Sequence, residues 1–169
     1  MNATLEIINQ MQTDGVIGKY AIGDAVGATF YLEPSAALDI DIFVSFQNTG
    51  TLLSLSPIYD YLAARNCKIE GEYIVIEGWP VQFLPPGNAL VEEALEHAIQ
   101  TELENISTWV MTAEHLVAIA LQTGRAKDHN RILQFIESGT LDPDKLNQIL
   151  SIHGLLAKWQ QFEDKFINE

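Results

Sequence analysis

Apolar residues Leu5, Ile8 and Met11, with Ile7 beside them, recur at helical spacing and predict an amphipathic first helix ending at Asp14-Gly15. The pattern then shortens to strand-like runs. Residues 20–22 read as a short apolar strand closed by Gly23, residues 24–31 as a helix, and residues 39–46 as a strand in which Asp39 and Asp41 alternate with Ile40 and Ile42. Residues 57–64 predict a helix, with Ser56 as N-cap and Pro57 in its first turn. Residues 68–70 and 73–77 flank Gly71 as a hairpin, and residues 81–84 form a further strand closed by Pro85-Pro86-Gly87. Asn88 caps a helix running to about residue 100.

The second half changes character. Thr112, with Glu114 behind it, starts a helix to residue 122; Gly124 breaks it, and residues 127–137 form the next. Asp142-Pro143 opens a third helix, with Leu146, Ile149 and Leu150 on one side, and residues 155–167 make the last. The order of elements predicts an α+β protein: a mixed sheet flanked by helices over residues 1–106, followed by a small helical subdomain over residues 107–169.

Candidate chemistry sits on the strand at residues 39–46. Alternate strand residues point the same way, so Asp39 and Asp41 share one face while Ile40 and Ile42 take the other. Two carboxylates one residue apart repel, and a divalent cation with oxygen ligands offsets that repulsion. The plainer alternative is a solvated strand face.

Gly23-Asp24, a helix, then Asp39-Ile40-Asp41 resembles the signature of the DNA polymerase beta-like nucleotidyltransferases. Residues 116–131, containing Gly124-Arg125-Ala-Lys127-Asp128, are similar to a segment of the small members related to bacterial abortive-infection toxins. Together the two stretches span about residues 17–131. The resemblance implies transfer of a nucleoside monophosphate from a nucleoside triphosphate to a protein or RNA acceptor, in a toxin–antitoxin setting where an antitoxin is a further partner. It implies Asp39 and Asp41 as catalytic ligands of Mg²⁺ or Mn²⁺, with Gly23, Asp24, Arg125, Lys127 and Arg131 around the nucleotide.

Three positions depart from the family pattern. Gln82 stands where the family has a third carboxylate, and an amide can neither act as general base nor bring charge to a metal. Asp24 stands where a small residue or serine meets the phosphates, and it would repel them unless a cation lies between; as an alternative it is a helix N-cap. Ala120 replaces a lysine. Lys127 and Arg131, at i and i+4, share a helix face and can meet phosphate, or Asp128 and Arg131 can simply pair. These departures leave open a second reading, a degenerate member that binds a nucleotide or a partner without catalysis.

Charge and composition narrow the partners. The formal net charge is −14. Residues 1–105 hold three basic side chains against fifteen acidic ones, and residues 106–169 hold six against eight. Such a surface disfavours an extended nonspecific nucleic-acid interface but leaves room for a local nucleotide site. The amino terminus lacks a basic start and apolar stretch, and no apolar run is long enough for a bilayer, so a cytoplasmic protein without membrane partners is expected. Lone Cys67 reads as a small packing residue rather than a reactive thiol. Glu77, on the preceding strand, either substitutes for the third carboxylate or is simply a solvated strand end. His97, His115, His129 and His153 lack zinc-motif spacing and read as surface or capping residues. Trp79, Trp109 and Trp159 read as packing residues, and the apolar side of the last helix as core.

Overall fold

The computed structural model describes residues 1–32, 39–45 and 55–167. Seven strands among them form one mixed sheet: β1 (Tyr20–Gly23), β2 (Ile40–Val44), β3 (Lys68–Glu70), β4 (Tyr73–Ile76), β5 (Trp79–Leu84), β6 (Ile99–Leu103) and β7 (Ile106–Val110). Their order is β3-β4-β5-β2-β1-β7-β6. The β1–β7 and β2–β5 pairs are parallel and the rest antiparallel. Helices α1 (Asn2–Thr13), α2 (Asp24–Ala28), α3 (Ser56–Ala63) and α4 (Ala89–Glu96) are interspersed with the strands. Helices α5 (Ala113–Thr123), α6 (Ala126–Ser138), α7 (Pro143–Ile152) and α8 (Leu156–Phe166) follow the last strand. The protein is therefore α+β, with its carboxyl-terminal part wholly helical among the described residues.

Strand alternation divides the core into two layers. Ile22, Ile40, Ile42, Val44 and Phe83 pack with Leu5, Ile8 and Met11 of α1 and with Ile58 and Leu62 of α3. Ala21 and Met111 pack on the opposite side with Leu116, Val117, Ile132, Phe135 and Phe162, and Phe43 leans on that cluster. The pleat thus sends Ile40 and Ile42 to one layer, and Asp41 and Phe43 to the side of α5 and α6. Asp41 is not on a solvated face: the helical layer covers it, and it is only 9% exposed.

Several expected boundaries move. Helix α2 ends at Ala28 rather than residue 31, and Gly23, not Asp24, is its N-cap. Ser56 is the first residue of α3, with Leu55 before it as N-cap. The end of the strand expected to reach Phe46 lies outside the described residues. Helix α4 stops at Glu96, and the chain then makes the hairpin β6–β7, which was expected to be helix and linker. Its two-residue turn, Glu104-Asn105, has φ of 49° and 71°, the left-handed pair typical of a tight hairpin. Glu77 is exposed in the equivalent turn between β4 and β5, with φ 50°, which fits the solvated reading better than a ligand role.

Helix α8 buries only Phe162, while Leu156 and Phe166 are 44% and 37% exposed, so its apolar side is core only in part. Leu155, which precedes it, is buried. Cys67 is half-buried, and burial raises its thiol pKa, which argues against a reactive thiolate. No helix among the described residues is long and apolar enough to cross a membrane.

Candidate functional site

Register brings the site together at one end of β1, β2 and β5. Gly23 of β1 pairs with Asp41 of β2, and Gln82 of β5 lies beside Asp41 on the other flank. A Cβ at Gly23 would come within 2.7 Å of the Phe43 ring, so any larger residue would force that ring to shift. Asp24 follows immediately with φ 50°, a left-handed conformation that Asp tolerates better than most side chains. This backbone turns the Asp24 carboxylate away from capping and toward α6.

Opposite stands the start of α6. Arg131 donates from Nη1 to Asp24 Oδ1 at 2.6 Å, and Arg125 Nη2 lies 3.8 Å from the same oxygen. Arg125 itself is fixed by Asp128, a carboxylate 1% exposed, through Nε–Oδ2 at 2.7 Å and Nη2–Oδ1 at 3.1 Å. Asp128 Oδ2 also accepts the backbone N–H of Arg125 at 3.1 Å, which satisfies a free donor at the helix start. The expected pairing of Asp128 with Arg131 is present, with Arg131 Nη1 3.7 Å from Asp128 Oδ1.

Asp24, Asp41, Arg125, Asp128 and Arg131 line a single cavity of about 180 Å³, whose apolar wall includes Phe43, Met111 and Ala120. Ala120 thus brings an apolar methyl group, and no charge, to the cavity wall. Lys127 is exposed and is not among the residues that line the cavity. Asp39 is half-buried just before β2 and also outside the lining, but its charge acts on Asp41.

The electrostatics separate the acids. Burial pushes the Asp41 carboxyl up to about 8, helped by its hydrogen bond and proximity to Asp24 and by the charge of Asp39. Burial also opposes ionisation of Asp24, but the hydrogen bond from Asp41 and the charges of Arg131 and Arg125 outweigh it, and its pKa is lowered. The directions are opposed, so the neutral form is favoured on Asp41 and the charge on Asp24. Asp41 Oδ1 is buried without a hydrogen-bond partner. Among the described residues no group of three or more His, Cys, Asp or Glu is arranged to hold a metal ion. What the site offers is one orphaned carboxylate oxygen with a second acid beside it.

A second polar cluster escaped the sequence reading. His115, expected at the surface or at a cap, is buried on α5 and its Nε2 lies 2.9 Å from Glu93 Oε2; Nδ1 is 2.7 Å from Thr112 Oγ1. His153 Nε2 lies 3.1 Å from the same Glu93 oxygen. Burial lowers the pKa of His115, and it is neutral at neutral pH. The cluster ties α4, α5 and the end of α7 together across 22 to 60 positions of sequence, a distance at which local spacing carries no signal.

No family model matches the chain, and no curated protein matches it either.

Proposed function

We propose that the chain is a metal-dependent nucleotidyltransferase whose centre is the cavity between β2 and α6. The observation that carries this reading is the Asp41 carboxyl: buried, raised in pKa, with one oxygen lacking a partner beside two further acids. Such a group is stabilised by a cation, and Mg²⁺ or Mn²⁺ accepts one or two protein carboxylates while keeping water and phosphate oxygens as its other ligands. Asp41 and Asp39 would hold it, and it would neutralise the charge of a triphosphate there. A preformed cage is not required for that mode of binding.

The chain's own residues supply the rest. Arg131 and Arg125 stand across the cavity from Asp41 and can exchange Asp24 for phosphate oxygens. In the transfer, the acceptor hydroxyl oxygen bonds to the α-phosphorus, the bond to the β-phosphate breaks, pyrophosphate leaves and the hydroxyl proton passes to solvent. Gln82, beside Asp41, cannot take that proton. The acceptor is a protein or an RNA, and a toxin–antitoxin setting in the cytoplasm, with an antitoxin as partner, belongs to the same proposal.

Incubation with each α-labelled triphosphate, Mn²⁺ and candidate acceptors tests the reading. Label should transfer in the wild type and be abolished in Asp39→Ala, while Gln82→Asp should maintain or raise it. Absence of label with all four nucleotides in both wild type and Gln82→Asp rejects catalysis. Two observations favour the second reading, binding without turnover: Gln82 occupies the flank of Asp41, and Asp24 already neutralises Arg131. That reading requires nucleotide affinity that falls in Arg125→Ala.

A further inference from the structure

On the other side of the α6 start lies a second cavity, of about 320 Å³, between the end of α5 and α8. Thr123 borders both cavities. The second has a different chemistry. Its wall contains Lys158, Lys165 and His129 and no carboxylate, in a chain whose net charge is −14. Glu163 and Asp164 of the same helix are not part of that wall, and Asp164 Oδ1 is engaged by Gln160 Nε2 at 2.9 Å.

The cavity is also aromatic. The His129 ring lies 5.6 Å from Phe162 and 5.1 Å from Phe166, and the two phenylalanines are 4.9 Å apart. Trp159 stacks behind Phe162 at 5.6 Å and 23°. Phe162 is buried, but Phe166 is 37% exposed, so the group presents a ring to solvent at the cavity edge. Lys165 Nζ sits 5.3 Å over the Phe166 ring, and Lys158 Nζ, also in the cavity wall, donates to the Gln122 carbonyl at 3.1 Å.

We infer that this cavity binds a nucleoside monophosphate, its base against Phe166 and His129 and its phosphate between Lys158 and Lys165. Two features of the wall select that class. A planar ring is attracted to exposed aromatic side chains whatever its substituents, and a phosphate is attracted to paired cations in an otherwise repelling field. A purely apolar ligand would leave the lysines without purpose, and a purely inorganic anion would leave the aromatic edge uncovered. The site is separate from the Asp39/Asp41 centre and stands whether or not that centre transfers nucleotides.

Isothermal titration of AMP into the full chain tests it, in buffer containing EDTA so that no divalent cation engages the carboxylates. AMP should bind, with adenosine and inorganic phosphate each weaker. Phe166→Ala and the double change Lys158→Ala/Lys165→Ala should each weaken AMP by about fivefold or more, the lower range for loss of one stacking contact. All three positions lie on the exposed side of α8, so the variants should remain folded, as read by circular dichroism. The His129 ring protons, read by NMR, should shift on AMP addition in the wild type. No binding at millimolar AMP would overturn the inference. So would unchanged affinity in both variants, or loss of AMP binding in Asp41→Asn with retention in Phe166→Ala, which would assign the nucleotide to the other cavity.

Discussion

A carboxyl group sealed beneath a helical layer loses the water that stabilises its charge, and Asp41 faces Asp24 and Asp39 as well. Its pKa of about 8 in the folded state, against an ordinary 3.8, fixes the direction of a pH effect. The neutral form is favoured by folding, so its stabilising contribution is complete below about pH 4 and is lost progressively as pH rises to about 8. Asp41→Asn keeps a donor toward Asp24 and cannot ionise. The melting temperature of Asp41→Asn relative to wild type should therefore rise between pH 4.5 and 8 and level off above; a difference independent of pH would show that Asp41 ionises normally. Asp24 permits a complementary measurement. Asp24→Asn tolerates the same left-handed backbone but takes from Arg131 the nearer of its two carboxylate partners, leaving only Asp128 at 3.7 Å, which should cost about 1–3 kcal/mol of stability. The same change frees Arg131 for phosphate, so ATP measured by titration with Mn²⁺ present should bind more tightly. Weaker binding would mean that Asp24 helps to hold the cation instead of competing with the nucleotide.

At the level of elements, the segment β1–α2–β2 must bend sharply and pack closely. Gly27 of α2 is what allows it, because a Cβ there would lie 2.9 Å from the Ile22 carbonyl oxygen, a backbone atom that cannot swing away. Gly27→Ala should cost about 1–3 kcal/mol by overpacking, measured by urea denaturation, and a neutral or stabilising result would show that α2 shifts freely. The alternation of Asp39, Ile40, Asp41 and Ile42 made β2 and its two faces legible, because one face meets α1 and repeats at period 2. The hairpin β6–β7 was not legible. Ile99, Thr101 and Leu103 do alternate, but they alternate with Gln100 and Glu102 directly after a helical run, and Ile99 is 44% exposed at an edge. Its turn is Glu104-Asn105 instead of a glycine pair, so the usual local signal is missing. Of the residues singled out in the sequence, Asp24, Asp41, Arg125 and Arg131 meet in one cavity while Asp39 and Lys127 lie outside its lining, and the contacts that arrange them were not legible. Arg131 meets Asp24 across 107 positions, and Glu93 meets His115 across 22, and neither contact leaves a trace in local spacing.

Across the whole molecule, the net charge of −14 repels itself, and the repulsion is greatest where fifteen acids face three bases in residues 1–105. Added salt should therefore stabilise the fold by screening alone, since the Debye length falls from about 10 Å at 0.1 M to about 3 Å at 1 M. A divalent cation would act through that general effect and, at Asp39 and Asp41, through binding to the native state, which raises stability by mass action. The two contributions separate at matched ionic strength. Melting curves of the wild type in MgCl₂ or MnCl₂ and in NaCl of equal ionic strength should differ, with the divalent salt giving the higher melting temperature. In Asp39→Asn/Asp41→Asn the difference should shrink toward zero, while the response to NaCl remains. The excess should also grow from pH 6 to pH 8, because a cation needs Asp41 ionised and competes with its proton. Equal melting temperatures in the two salts at pH 8 would show that no cation binds Asp39 and Asp41 without a nucleotide, and would restrict the transferase reading to a cation that arrives with the triphosphate.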